Sequence, residues 1–216
     1  MPAAYATPDD LPGVIPVFPL DALLLPQGGL PLNIFEPRYL NMIDDAMAGD
    51  RIIGMIQARF GDRERPPLAD VGCAGRITSF SETSDGRYLI TLTGVCRFRV
   101  KEETPARTPY RQVRADFARY AQDLSREAEP PTLNRERFTA ALKRYLDRRG
   151  LEVEWKQVED APVDALVTSL SMALPFEAQE KQVLLEAETQ DDRAQALLAL
   201  VELDTAGDDD SPAALH

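Results

Sequence analysis

Between Ile15 and Met42 the chain reads IPVFPLDALLLPQGGLPLNIFEPRYLNM, and the prolines spaced through it constrain the fold more than any other feature. Val17-Phe18-Pro19-Leu20, Leu24-Leu25-Pro26 and Leu30-Pro31-Leu32 are apolar units, each carrying a proline. Proline cannot donate to a sheet ladder, so each one confines its segment to an edge, a strand start or a bulge. The expectation is short strands with sharp corners, as in a small irregular barrel. Pro37 then suits the first turn of a helix, where its missing N–H costs nothing.

The rest of the chain divides by period. Tyr39, Leu40, Ile43, Ala46 and Met47 recur at helical spacing, which predicts a helix over 37–48 closed by Gly49. RIIGMIQA, residues 51–58, reads as a buried strand. A charged, proline-rich loop over 59–70 follows, with Phe60 and Leu68 as its large apolar residues. Residues 77–83 and 87–95 flank Ser84-Asp85-Gly86, a hairpin signal, and Gly94 marks a bulge or corner in the second strand. A last strand is expected over 112–117. After Glu129-Pro130-Pro131 the period becomes helical. Phe138, Ala141, Leu142, Tyr145 and Leu146 share one helix face that stops at Gly150. Trp155 falls in a connecting segment, and further helices are marked by Val163–Leu170, Val183–Ala187 and Ala194–Val201. The fold class expected is α+β: an irregular β-barrel with one helix over 12–120, then a helical bundle over 132–204. Residues 1–11 and 205–216 read as disordered tails.

Charge follows the same division. The first 120 residues carry 14 Lys and Arg against 15 Asp and Glu, and the remainder carries 10 against 21. An acidic second half argues against a general nucleic-acid binder, because phosphate contacts need local positive charge. No apolar run approaches a membrane span, and the first residues lack the basic start and apolar stretch of a signal peptide. Cys73 and Cys96 form neither a disulfide framework nor a C-x-x-C motif, so they read as buried small hydrophobes in a reduced, cytoplasmic setting. His216, the single histidine, is the last residue, which removes any histidine-based triad or metal site. No catalytic residue, metal ligand or cofactor is assigned.

Three further segments carry a resemblance: VGCAGRI at 71–77, DGRYLITLTGVCRFRV at 85–100, and LPFEAQEKQVLLEAETQDDRAQAL at 174–197. With the proline-rich start, and in this order, they resemble the N-terminal substrate-binding domain of the Lon protease family. The family's Gly-x-x-Arg strand is matched with Arg97, its Lys-Gln-x-Leu-Leu-Glu run with Lys181–Glu186, and its downstream arginine with Arg193. The resemblance implies a PUA-like barrel followed by a helical bundle. The phosphate loop G-x-x-x-x-G-K-[ST] does not occur, so the chain reads as that domain without ATPase and protease modules, and not as an enzyme.

What the resemblance implies functionally is a protein-interaction module that binds unfolded or apolar polypeptide segments. It would act as an adaptor, a holdase or a regulator of a separate protease. Candidate contact residues are Phe35, Glu36, Arg38, Tyr39, Phe60, Leu68 and Phe176, although helix-start chemistry alone explains the residue types at 35–39. A second reading is RNA binding through a basic stripe of Arg97, Arg99, Lys101 and Arg114. It is disfavoured because no aromatic residue interleaves on that face to stack bases.

Overall fold

The computed structural model describes residues 5–59, 65–105, 107–125 and 130–206. Among the described residues are six strands and six α-helices, one helix among the strands and five after them. The strands are β1 (Val14–Pro19), β2 (Gly29–Ile34), β3 (Ile52–Ala58), β4 (Leu68–Glu82), β5 (Tyr88–Glu103) and β6 (Arg111–Asp116). Helix α1 (Pro37–Ala48) lies between β2 and β3. After the sheet come a 3-10 segment (Ala118–Leu124) and helices α2 (Arg135–Arg149), α3 (Trp155–Asp160), α4 (Val163–Ala173), α5 (Ala178–Glu186) and α6 (Gln190–Ala206). The class is α+β with a mixed sheet.

Strand order is β2-β5-β4-β3-β1-β6, and β6 also bonds to the end of β5. Pairing therefore runs in a closed circuit through β1, β3, β4, β5 and β6, while β2 lies against the first half of β5. The prolines fit because β1 changes partner along its length. Residues 14–17 pair with β6 and residues 17–19 with β3, so Pro16 and Pro19 each have only one neighbour to satisfy. Pro31 sits in β2, which pairs only with β5. The middle unit is no strand. Leu23, Leu24 and Leu25 are buried in an irregular connection that turns at Pro26, with the Gln27 N–H donating to Gly94 O at 2.9 Å.

Gly94 explains that turn. A Cβ there would stand 1.9 Å from Leu25 O, so only glycine lets the connection cross β5 this closely. The register slips beside it, with Ala74 facing Cys96 and Gly75 facing Gly94, leaving Val95 as the extra residue of the expected bulge. Helix α1 spans the expected residues. Gly150 closes α2 in the left-handed region at φ 62°.

Several expectations change. Leu68 is not in a loop but opens β4, paired with Ala58. Trp155 is not in a connector but begins α3. Residues 5–11 are not a disordered tail: Leu11 is buried, and Arg76 Nη1 donates to the Tyr5 hydroxyl at 2.7 Å. The remainder of both expected tails, 1–4 and 207–216, lies outside the described residues, as does Phe60. One cluster of buried side chains runs from Leu11 through the sheet to Val201 in α6.

Candidate functional site

Helix α1 starts where the edge strand β2 ends, and that junction exposes an aromatic side chain. Ile34, the last residue of β2, is buried, so the next residue turns outward and leaves Phe35 65% exposed. Leu89, paired with Asn33 two residues earlier, is a second exposed apolar residue. Glu36 occupies the N-cap position, but its carboxylate does not cap the helix. It pairs instead with Arg38 at 2.8 Å. The Arg38 guanidinium lies 4.7 Å from the centre of the Tyr39 ring, and that ring packs on Phe18 at 4.2 Å. Tyr39 is thus core, while Phe35, Glu36 and Arg38 face solvent.

A notch of about 210 Å³ adjoins Arg38, walled by Arg65, Glu103, Pro105, Tyr110 and Arg111. Glu103 receives both Arg111 and Arg65, and Arg111 foremost holds its carboxyl below the ordinary range. Tyr110 donates to Asp45 of α1 at 2.6 Å; burial, with that acid, pushes its phenol up to about 12. Arg111 also donates to Pro66 O at 2.7 Å, which fixes the segment leading to half-buried Leu68. Arg38 and Arg65 therefore meet in one notch. Phe176 does not join them. It is 4% exposed and packs on Tyr145 in the helical half, so its candidacy as a contact residue is withdrawn.

The basic stripe also breaks up. Arg99, Lys101 and Arg114 are exposed, but Lys101 pairs with Asp116 at 3.3 Å and Arg114 with Glu102 at 2.9 Å. Arg97 is 2% exposed. Strand alternation does place it on one face with Arg99 and Lys101, but the 3-10 segment and the α5–α6 link cover that face at Arg97 alone. Its backbone N–H, Nε and Nη2 all donate to the Asp123 carboxylate, at 3.0, 2.8 and 2.8 Å. The remaining N–H groups reach the carbonyls of Leu185, Ala187 and Glu188. Those carbonyls end α5, where backbone acceptors lack partners and positive charge is favoured.

Arg193 works on the same helix end, its Nε donating to Leu184 O at 2.9 Å. The two arginines matched by resemblance thus converge on the C-terminus of α5. Gln182 and Lys181, from the matched run, bond to Val71 O and Asp21. The matched motif is a clasp between sheet and helices, which no local pattern reveals, because the contacts across it join residues 88 to 160 positions apart.

Beside the clasp is the larger cavity, of about 620 Å³, between the turn at 26–29, the 3-10 segment, α4 and the α5–α6 link. Arg97, Arg119, Asp123, Asp164, Glu188 and Arg193 supply its charges together with Asp191. Burial, reinforced by the like charge of Arg97, pulls the Arg193 guanidinium down to about 10. Gln27, in the wall, holds a left-handed backbone at φ 66°, a strained geometry maintained by the contact at Gly94.

Cys73 and Cys96 are buried; burial foremost drives both thiols up, Cys96 to about 12. Among the described residues no three His, Cys, Asp or Glu gather as metal ligands, and no helix is long and apolar enough to cross a membrane. The fold is a mixed sheet clasped to helices, with an exposed aromatic residue at the start of α1 and a polar cavity between sheet and helices. The chain belongs to the family of the ATP-dependent protease La (LON) substrate-binding domain, whose model matches residues 14–202.

Lon protease 2 of Myxococcus xanthus is 33% identical over 125 residues, covering 54% of this chain and 15% of that protein. Lon protease 2 of Sorangium cellulosum is 27% identical over 210 residues, covering 93% and 26%. The chain thus spans about a quarter or less of these relatives, and it matches their substrate-binding domain, not the ATPase or protease modules. The fold is similar to that of a Lon N-terminal domain protein from Xanthomonas campestris, with a TM-score of 0.61 at 23% identity over 86% of this chain and 97% of that one. The N-terminal domain of Mycobacterium avium complex Lon protease gives 0.56 at 20% identity, over 90% and 99%.

Proposed function

We propose that this chain is a non-enzymatic polypeptide-binding module that engages exposed apolar segments of client proteins as a cytoplasmic adaptor, holdase or regulator of proteolysis. It would do so through a PUA-like barrel over 12–120 and a helical bundle over 132–204. The observation that carries the reading is the exposed Phe35 at the start of α1. An exposed aromatic ring, next in sequence to the Glu36–Arg38 pair, offers a client side chain an apolar platform with a polar edge. Glu36 and Arg38 border that platform, and half-buried Leu68 at the start of β4 stays a separate candidate. Phe60 retains its candidacy from sequence alone.

Replacing Phe35 by Asp tests the platform. The side chain is already in water, so the melting temperature should stay within about 2 °C of the parent, as for other exposed positions. Affinity for a permanently unfolded, carboxymethylated polypeptide should fall roughly tenfold, the loss of one aromatic anchor. Unchanged affinity would place the contact elsewhere.

A further inference from the structure

Three arginines stand in the wall of the seam cavity, and two of them have carboxylate partners. Arg97 takes the whole of Asp123, and Arg119 donates to Glu188 at 2.6 Å. Arg193 is 5% exposed, and among the described residues its guanidinium forms one hydrogen bond, to Leu184 O, while its buried Nη2 has no partner. A buried guanidinium so poorly matched, with another cation as neighbour, is costly unless an acid completes it. The acids within reach of the cavity are committed or peripheral. Asp191 accepts from the Thr132 N–H, and Asp164, in the first turn of α4, stands in the wall without an ion pair among the described residues.

We infer that the seam cavity receives a carboxylate of the bound polypeptide, with Arg193 as its counter-ion and Asp164 accepting from the amide N–H groups of the same segment. This inference rests on the polypeptide-binding reading above. Three features favour that ligand chemistry. The volume, about 620 Å³, is that of a pocket for a small ligand or a few residues of extended chain. The wall offers donors and acceptors together, with Thr168, Ser169 and the side-chain amides of Gln27 and Gln190 between the charges, which suits a main chain. A phosphate dianion would meet Asp164, Glu188 and Asp191 in the same space, whereas a singly charged carboxylate meets less repulsion. The strained turn at Gln27 is pinned by Gly94, so that wall is formed before a ligand arrives.

The carboxylate has two sources, a chain terminus or an Asp or Glu side chain, and one titration separates them. A fluorescent apolar peptide with a single Glu is followed by anisotropy in three forms: free C-terminus, C-terminal amide, and Glu replaced by Gln. One of the two neutralised forms should bind about tenfold more weakly, the worth of a charge-assisted hydrogen bond. The Arg193→Gln variant should erase that difference. Arg193 also supports the end of α5, so a second variant leaves it in place: Ser169→Trp, from an exposed position on α4, fills the cavity mouth. It should reproduce the loss with an unchanged melting temperature. If wild type binds all three peptides equally, or Ser169→Trp binds as wild type does, the carboxylate site is wrong while polypeptide binding stands. If no form binds, both readings fall.

Discussion

Arg97 and Asp123 show how far one residue's role depends on what covers it. Their side chains are 2% and 7% exposed and joined by two parallel hydrogen bonds, so neutralising one strands the other in a poorly solvating seam. Asp123→Asn should cost about 3–5 kcal/mol in urea unfolding. Glu102→Gln, in an exposed pair with Arg114, should cost under about 1 kcal/mol. Similar costs for the two would mean the clasp is not buried in solution. Tyr110 gives a pH signature. Its phenol titrates near 12 in the folded chain against an ordinary 10, so the unfolded chain releases the proton first as pH rises. Stability should be full below about pH 10 and decline toward about pH 12, and Tyr110→Phe should flatten that decline in unfolding curves taken across the window. Sequence alternation did put Arg97 on the face of Arg99 and Lys101. It held no information about Asp123 or the end of α5, because a cover brought from 26 and about ninety positions away leaves no local period.

At the scale of elements, the crossing at Gly94 makes the clearest prediction. Gly94→Ala places a methyl against the Leu25 carbonyl and should cost about 1–3 kcal/mol or prevent folding, as overpacking does. Gly29→Ala meets nothing within 4 Å and should change stability by under about 0.5 kcal/mol. Thermal unfolding of the pair checks both, and equal effects would contradict the crossing. Helix α1 was legible because Pro37, the apolar spacing and Gly49 all agreed. The β4–β5 hairpin was legible from Asp85-Gly86. The Leu23–Leu25 connection was not, since a buried irregular segment and a buried strand share one composition. The proposed platform at Phe35 was half legible. The residues of the helix start were identified, but exposure decided which belong to the surface, and it separated Phe35 from Tyr39.

Across the whole molecule, sheet and helices share one buried cluster from Leu11 to Val201, closed by the Arg97 clasp. Far-ultraviolet dichroism and the fluorescence of Trp155, which lies in the helical half, should therefore report one coincident urea transition. An earlier Trp155 transition would mean that the helices melt independently. The same view weighs the two functional readings. The exposed cations of the β5–β6 face are largely met by acids on neighbouring strands, and the chain carries a net −12, a poor field for phosphates. The most direct measurement of what the molecule does is a binding titration against an unfolded polypeptide and a single-stranded RNA, each repeated at low and high salt. The expected result is polypeptide binding, on the order of micromolar, that changes little with salt, and no RNA binding. RNA binding that weakens steeply with salt, with the polypeptide ignored, would contradict it.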